Sequence, residues 1–130
     1  MPHVLVIDDD DAVRSAITLI LEVDGYKVTA ASDGRAGVAA AANADIQLVL
    51  VDIFMPGMDG IETIRALRAA KPNLPIIAMS GAMSGDKDGS PDFLSFATKF
   101  GAITSLHKPF RPNELLQTAK KAIEAGPSSG

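Results

Sequence analysis

Short apolar runs alternate along this chain with stretches in which apolar side chains return every three or four positions. Period decides the element type: near-continuous apolar runs of strand length suit buried strands, and three-to-four spacing suits amphipathic helices. His3–Asp8 predicts a first strand. Asp11–Asp24 predicts a helix, because Ala12, Val13, Ala16, Ile17, Ile20 and Leu21 fall on one face, and Gly25 supplies its stop. Tyr26–Ala30 is the second strand and the alanine-rich Gly34–Ala44 the second helix. Gln47–Asp52 reads "QLVLVD", branched residues without polar alternation in the middle, as expected of a strand buried on both faces. Gly60–Ala70 is a third helix with Ile61, Ile64 and Leu67 on one side, ended by "KPN". Pro75–Ser80 predicts a fourth strand, Asp92–Phe100 a fourth helix, Ala102–Leu106 a short fifth strand and Pro112–Ala125 the last helix.

Five strand–helix units in succession predict an α/β fold, a doubly wound parallel sheet with helices on both faces, because right-handed crossovers of this length build little else. One segment breaks the rhythm. Gly81–Asp92, "GAMSGDKDGSPD", has glycines, a proline and charges without an apolar period, and reads as a loop. The final "GPSSG", residues 126–130, reads as a linker or an expression remnant outside a single domain of residues 1–125.

Composition narrows the function. The 130 residues carry 12 Lys+Arg against 16 Asp+Glu, a net charge of −4, which disfavours binding to nucleic-acid phosphates or anionic membranes. The absence of cysteine excludes thiol nucleophiles, thiolate metal sites and disulfides. No apolar stretch approaches a membrane span and the N-terminus lacks a secretory pattern, so the expectation is a cytoplasmic domain.

The polar residues then fall in a telling place. Asp8 and Asp9 end the first predicted strand, Asp52 the third and Ser80 the fourth, and Lys108 follows the fifth. In an open doubly wound sheet the ligand site lies beyond the carboxyl ends of the strands, where strand order reverses. Four consecutive aspartates, Asp8 to Asp11, repel one another unless something positive offsets them. Asp10 and Asp11 have a structural explanation as caps of the first helix. Asp8, Asp9 and Asp52 together make an oxygen-rich site of the kind Mg²⁺ accepts while keeping several waters. Lys108 would add an ammonium donor and Ser80 a hydroxyl able to turn toward a new acceptor. A carboxylate so placed can act as a nucleophile toward phosphorus.

At these residues the sequence resembles the receiver domain of two-component response regulators, the CheY-like family. The carriers are Asp8–Asp9, "DIFMPGMDG" from Asp52 to Gly60, "MSG" at Met79–Gly81 and "KPF" at Lys108–Phe110. The resemblance spans residues 3 to 125. It implies a five-stranded flavodoxin-like sheet of order 2-1-3-4-5, and a phosphoacceptor domain that signals rather than an enzyme turning over a separate substrate. Asp52 is then similar to the phosphoacceptor. Asp9, Asp52 and the Phe54 carbonyl resemble direct Mg²⁺ ligands, with Mn²⁺ as a substitute, and Asp8 a ligand through water. Ser80 resembles the switch hydroxyl and Lys108 the lysine on the phosphoryl group, aimed by a cis Lys108–Pro109 bond. The implied partners are a sensor histidine kinase or a histidine phosphotransfer protein, and an effector domain or downstream protein on the face formed by the fourth helix, fifth strand and last helix. Two departures from the family stand out: Ser105 occupies a position that is usually aromatic, and the loop after Ser80 is longer than usual.

Two other classes share parts of this pattern. A Mg²⁺-dependent phosphatase would use Asp52 transiently, but needs an acid/base aspartate that Phe54 does not provide. An unphosphorylated interaction module would leave Asp52 unlabelled by a small phosphodonor. His3 and His107 read as ordinary strand or rim residues, and Phe93, Phe96 and Phe100 as core.

Overall fold

The computed structural model describes residues 2–43, 45–53, 60–80, 102–107 and 110–125. The predicted fourth helix Asp92–Phe100, the whole loop Gly81–Asp92, and Phe54, Lys108, Pro109 and residues 126–130 lie outside them. Five parallel strands, β1 (His3–Ile7), β2 (Lys27–Ala31), β3 (Ile46–Asp52), β4 (Ile76–Ser80) and β5 (Thr104–His107), form one sheet in the order β2-β1-β3-β4-β5. The described helices are α1 (Asp11–Val23), α2 (Gly34–Ala41), α3 (Gly60–Ala70) and a C-terminal helix, Pro112–Ala125. This is the expected doubly wound architecture.

Alternation along the strands sorts the core into two layers. Leu5, Ile7, Val49, Val51, Ile76 and Ala78 pack with Ala41 of α2 and Ile64 and Leu67 of α3. Val4, Val6, Leu48, Leu50, Ile77 and Met79 pack on the other face with Ile17 and Leu21 of α1 and Leu115, Ala119 and Ala122 of the C-terminal helix. Each large side chain buried this way contributes roughly 1.5–3 kcal/mol, so both layers are needed to hold the sheet between its helices. β1 and β4 are buried at every position, and β3 at every position but Gln47. β2, at the edge, is buried only at Ala31.

Element ends shift by a few residues, each for a visible reason. Gly25, at φ 96°, turns the chain out of α1; its N–H bonds the Glu22 carbonyl and the Tyr26 N–H bonds that of Leu21. Tyr26 is therefore spent on closing the helix, and β2 starts at Lys27, whose N–H reaches the Pro2 carbonyl. The second helix ends at Ala41 rather than Ala44: Ala42 and Asn43 donate to Ala39 and Ala40, tightening the last turn. The Asn43 carbonyl then accepts from Ile46 N–H and from Lys71 Nζ, which ties α2 to the residue following α3. β5 begins two residues later than predicted, after Ile103 has donated to the Ile76 carbonyl at 2.8 Å.

Candidate functional site

Register and pleat bring two acids together. β1 pairs with β3 so that Ile7 faces Val51. The next residues, Asp8 and Asp52, leave adjacent strands on the face shared by Val6 and Leu50, which is why both are buried, at 0% and 5% exposure. Asp9, one residue on, is exposed. Carboxylate oxygens of Asp8, Asp9 and Asp52 all lie within 4.8 Å of one another.

That spacing suits a small hard cation. Oxygen ligands at about 2.0–2.1 Å in an octahedron stand about 2.9 Å apart side by side and about 4.2 Å apart across the ion. Three carboxylates within the measured limit can serve such an ion directly or through one water. Two of them are buried, where a carboxylate is tolerated only when it is paired, hydrogen-bonded or bound to a metal.

The turn between β1 and α1 is held by its own polar groups. Asp8 N–H donates to the Ala31 carbonyl at 3.1 Å, and an Asp8 carboxylate oxygen accepts from Asp10 N–H at 2.9 Å. Asp10 is the N-cap of α1: its carboxylate accepts from Ala12 and Val13 N–H at 2.9 and 3.1 Å. Asp11 stands in the first turn instead and pairs with Arg14. Of the four consecutive aspartates, one caps the helix, one carries an ion pair and two turn to the cluster.

Ser80 is the last residue of β4 and is 3% exposed. β3 and β4 pair Asp52 with Met79, so Ser80 stands one residue beyond the level of Asp52 on the neighbouring strand, and Ile53 N–H donates to the Met79 carbonyl at 3.0 Å. Asp8, Asp9, Asp52 and Ser80 thus share the carboxyl edge of the sheet. Phe54 and Lys108 follow Ile53 and His107 in the chain and lie outside the described residues. Ser105 is half-buried in β5 opposite Ala78. His3, at the far end of β1 from Asp8, is buried with Nε2 at 2.7 Å from Thr29 Oγ1, which fits a structural role.

The sequence profile of the response regulator receiver domain matches residues 4–120. The chain belongs to that family. Relatives of this receiver domain include the transcriptional regulatory protein FixJ of Bradyrhizobium diazoefficiens, 34% identical over 121 residues, which cover 93% of this chain and 56% of that protein. The regulatory protein VirG of Agrobacterium fabrum is 35% identical over 128 residues, covering 98% of this chain and 48% of the other. The receiver domain thus spans about half the length of the curated relatives it matches. Among solved structures, a CheY-like response regulator receiver domain protein from Methanospirillum hungatei superposes with a TM-score of 0.86 at 28% identity, covering 100% of this chain and 99% of that one. No helix among the described residues is long and apolar enough to cross a membrane.

One residue that matters at this edge escaped the sequence reading. Arg14 Nη1 donates to the Asp8 carbonyl at 2.7 Å. In the sequence Arg14 stands out only as the first Lys or Arg of the chain, three residues past the last of the aspartates, and its acceptor, a backbone carbonyl, leaves no mark.

Proposed function

We propose that the domain is phosphorylated on Asp52 by a histidine kinase or a histidine phosphotransfer protein, with Mg²⁺ or Mn²⁺ bound, and that this switches a partner-binding surface. The convergence of Asp8, Asp9 and Asp52 within 4.8 Å is the observation that carries the reading. Asp9, Asp52 and the Phe54 carbonyl would hold the cation directly and Asp8 through water. When bound, it supplies positive charge against the phosphoryl oxygens.

An Asp52 carboxylate oxygen attacks the phosphorus of the donor phosphohistidine. The P–N bond breaks, a P–O bond forms, and the imidazole leaves with the electron pair; the product is an acyl phosphate on Asp52. Lys108 neutralises a phosphoryl oxygen and the Ser80 hydroxyl turns to donate to another. Binding these groups differently before and after transfer biases a two-state surface, the fifth strand with the helices flanking it. An effector domain or a downstream protein reads that surface. The domain is in this reading a cytoplasmic signalling element of residues 1–125, without turnover of a separate substrate.

Incubating the protein with a small acyl phosphate and Mg²⁺ tests this. Intact mass should rise by one phosphoryl group, with no rise in Asp52→Asn or when the metal is chelated. Steady release of phosphate from a phosphomonoester would instead support the phosphatase class.

A further inference from the structure

We infer that Arg14 is a positioning residue for the acid cluster: its guanidinium holds the Asp8–Asp9 peptide in the orientation that lets the neighbouring carboxylates take a divalent cation. The inference rests on the reading of that cluster as a cation site.

Arg14 lies in the second turn of α1 with its side chain 19% exposed. One arm, Nη1, donates to the Asp8 carbonyl at 2.7 Å; the other, Nη2, pairs with the Asp11 carboxylate. Asp11 is 86% exposed and belongs to the same helix, so the fork is braced from α1 rather than from the cluster. The Asp8 carbonyl shares a planar peptide with the Asp9 N–H. Fixing that oxygen fixes the plane from which the Asp9 Cα, and with it the Asp9 carboxylate, departs. The same turn is held on its other side by Asp10 N–H on the Asp8 carboxylate. Arg14 therefore closes a loop that runs Asp8 carboxylate, Asp10, first turn of α1, Arg14, Asp8 carbonyl, and the two acids of the turn are hung from it.

Two effects of Arg14 on cation binding have opposite signs. As a charge, the guanidinium repels a second cation nearby, and its removal would tighten binding. As a tether, its removal frees the Asp8–Asp9 peptide and loosens the ligands. The charge effect is offset by the Asp11 carboxylate, which pairs with the same guanidinium. The tether is a direct charge-assisted hydrogen bond. The tether wins, and losing it weakens the site by about tenfold, the scale found when groups behind a metal ligand are removed.

Calorimetric titration with Mg²⁺ separates the two on the full chain. Asp9→Asn, which removes a ligand, should bind far more weakly than wild type; equal binding would refute the cation site itself, and with it this inference. Arg14→Met, which keeps the aliphatic stem but neither charge nor donor, should bind about tenfold more weakly. Arg14→Lys, with charge and one donor, should stay close to wild type. The Asp9 amide ¹⁵N shift, read without metal, should move in Arg14→Met and hold in Arg14→Lys. Unchanged or tighter Mg²⁺ binding by Arg14→Met overturns the inference while leaving the cation site intact. Should Arg14→Met fail to fold, Arg14→Gln, too short to reach the carbonyl, decides by the same titration.

Discussion

Gly60 lies against the backbone of Asp52. A Cβ at position 60 would fall deep inside contact distance of the Asp52 carbonyl oxygen and the Ile53 Cα, and 2.8 Å from the Ile53 nitrogen. Backbone cannot swing aside as a side-chain tip can, so the start of α3 approaches the end of β3 only through glycine. The Gly60 N–H uses that approach to reach the Ile53 carbonyl at 3.3 Å. Gly60 is the first residue of α3, so Gly60→Ala gains at most the mid-helix propensity of about 0.5–1 kcal/mol but must push the Asp52–Ile53 segment away, an overpacking cost of about 1–3 kcal/mol. Overpacking outweighs the gain in propensity. The variant should melt lower and take up phosphoryl groups more slowly, checked by thermal unfolding and by intact mass over time.

Gly37 is the instructive contrast. A Cβ there would sit 2.6 Å from Ile7 Cγ1, in side chain rather than backbone. Gly37→Ala should lower the melting temperature with a smaller effect on phosphoryl uptake, because Ile7 precedes Asp8 but its side chain packs on the opposite face of the sheet. Comparing the two variants at matched fractions folded separates loss of stability from displacement of the site.

Asp10 and Asp11 should differ although they are neighbours of the same charge. Asp10→Ala removes a cap that satisfies two N–H groups of α1, and should cost about 1 kcal/mol of stability. Asp11→Ala breaks an exposed ion pair and should cost less than about 0.5 kcal/mol. Chemical denaturation of both variants without added metal checks the order.

Stability at high pH should depend on Tyr26. Its phenol is held above the ordinary value of 10.0 by burial first, then by the negative charges of Asp24 and Glu124. A raised value in the folded state means the unfolded chain gives up the proton first. The stability tied to the neutral phenol is fully present below about pH 10 and is lost as pH rises through the folded value. Tyr26→Phe should flatten that decline; an unchanged slope of unfolding free energy against pH would contradict it.

The acyl phosphate should be long-lived. Phe54, two residues after Asp52, and Ala82, two after Ser80, offer no polar group to orient an attacking water. Phosphorylated protein freed of donor, followed by intact mass, should persist well beyond seconds; complete loss within seconds would count against this.

Much of the fold was legible because the signals were redundant. The run from Gln47 to Asp52 announced a strand buried on both faces by composition alone, and Gly25 announced the end of α1; the strand itself starts one residue earlier, at Ile46. The ends blurred where a side chain or carbonyl far away in sequence decides: Lys71 on Asn43 closes α2 from across the fold, and Ile76 captures Ile103 before β5 begins. At the site, Asp8, Asp9, Asp52 and Ser80 were visible because strand ends in a doubly wound sheet share one edge. The division of labour within "DDDD" was only partly visible. Which aspartate caps and which pairs is set by the direction of the turn, where Asp8 N–H meets the Ala31 carbonyl, Asp10 N–H the Asp8 carboxylate, and Arg14 the Asp8 carbonyl, each through a backbone atom that no side-chain pattern marks.

Asp52 is the one side chain proposed to accept phosphorus, and that can be read directly. After reaction with an acyl phosphate in Mg²⁺, borohydride reduces an aspartyl phosphate to homoserine, which peptide mass spectrometry locates. Homoserine should appear at position 52 and vanish when the metal is chelated beforehand; homoserine at position 8 or 9, or none anywhere in a protein that has gained a phosphoryl group, would contradict the account.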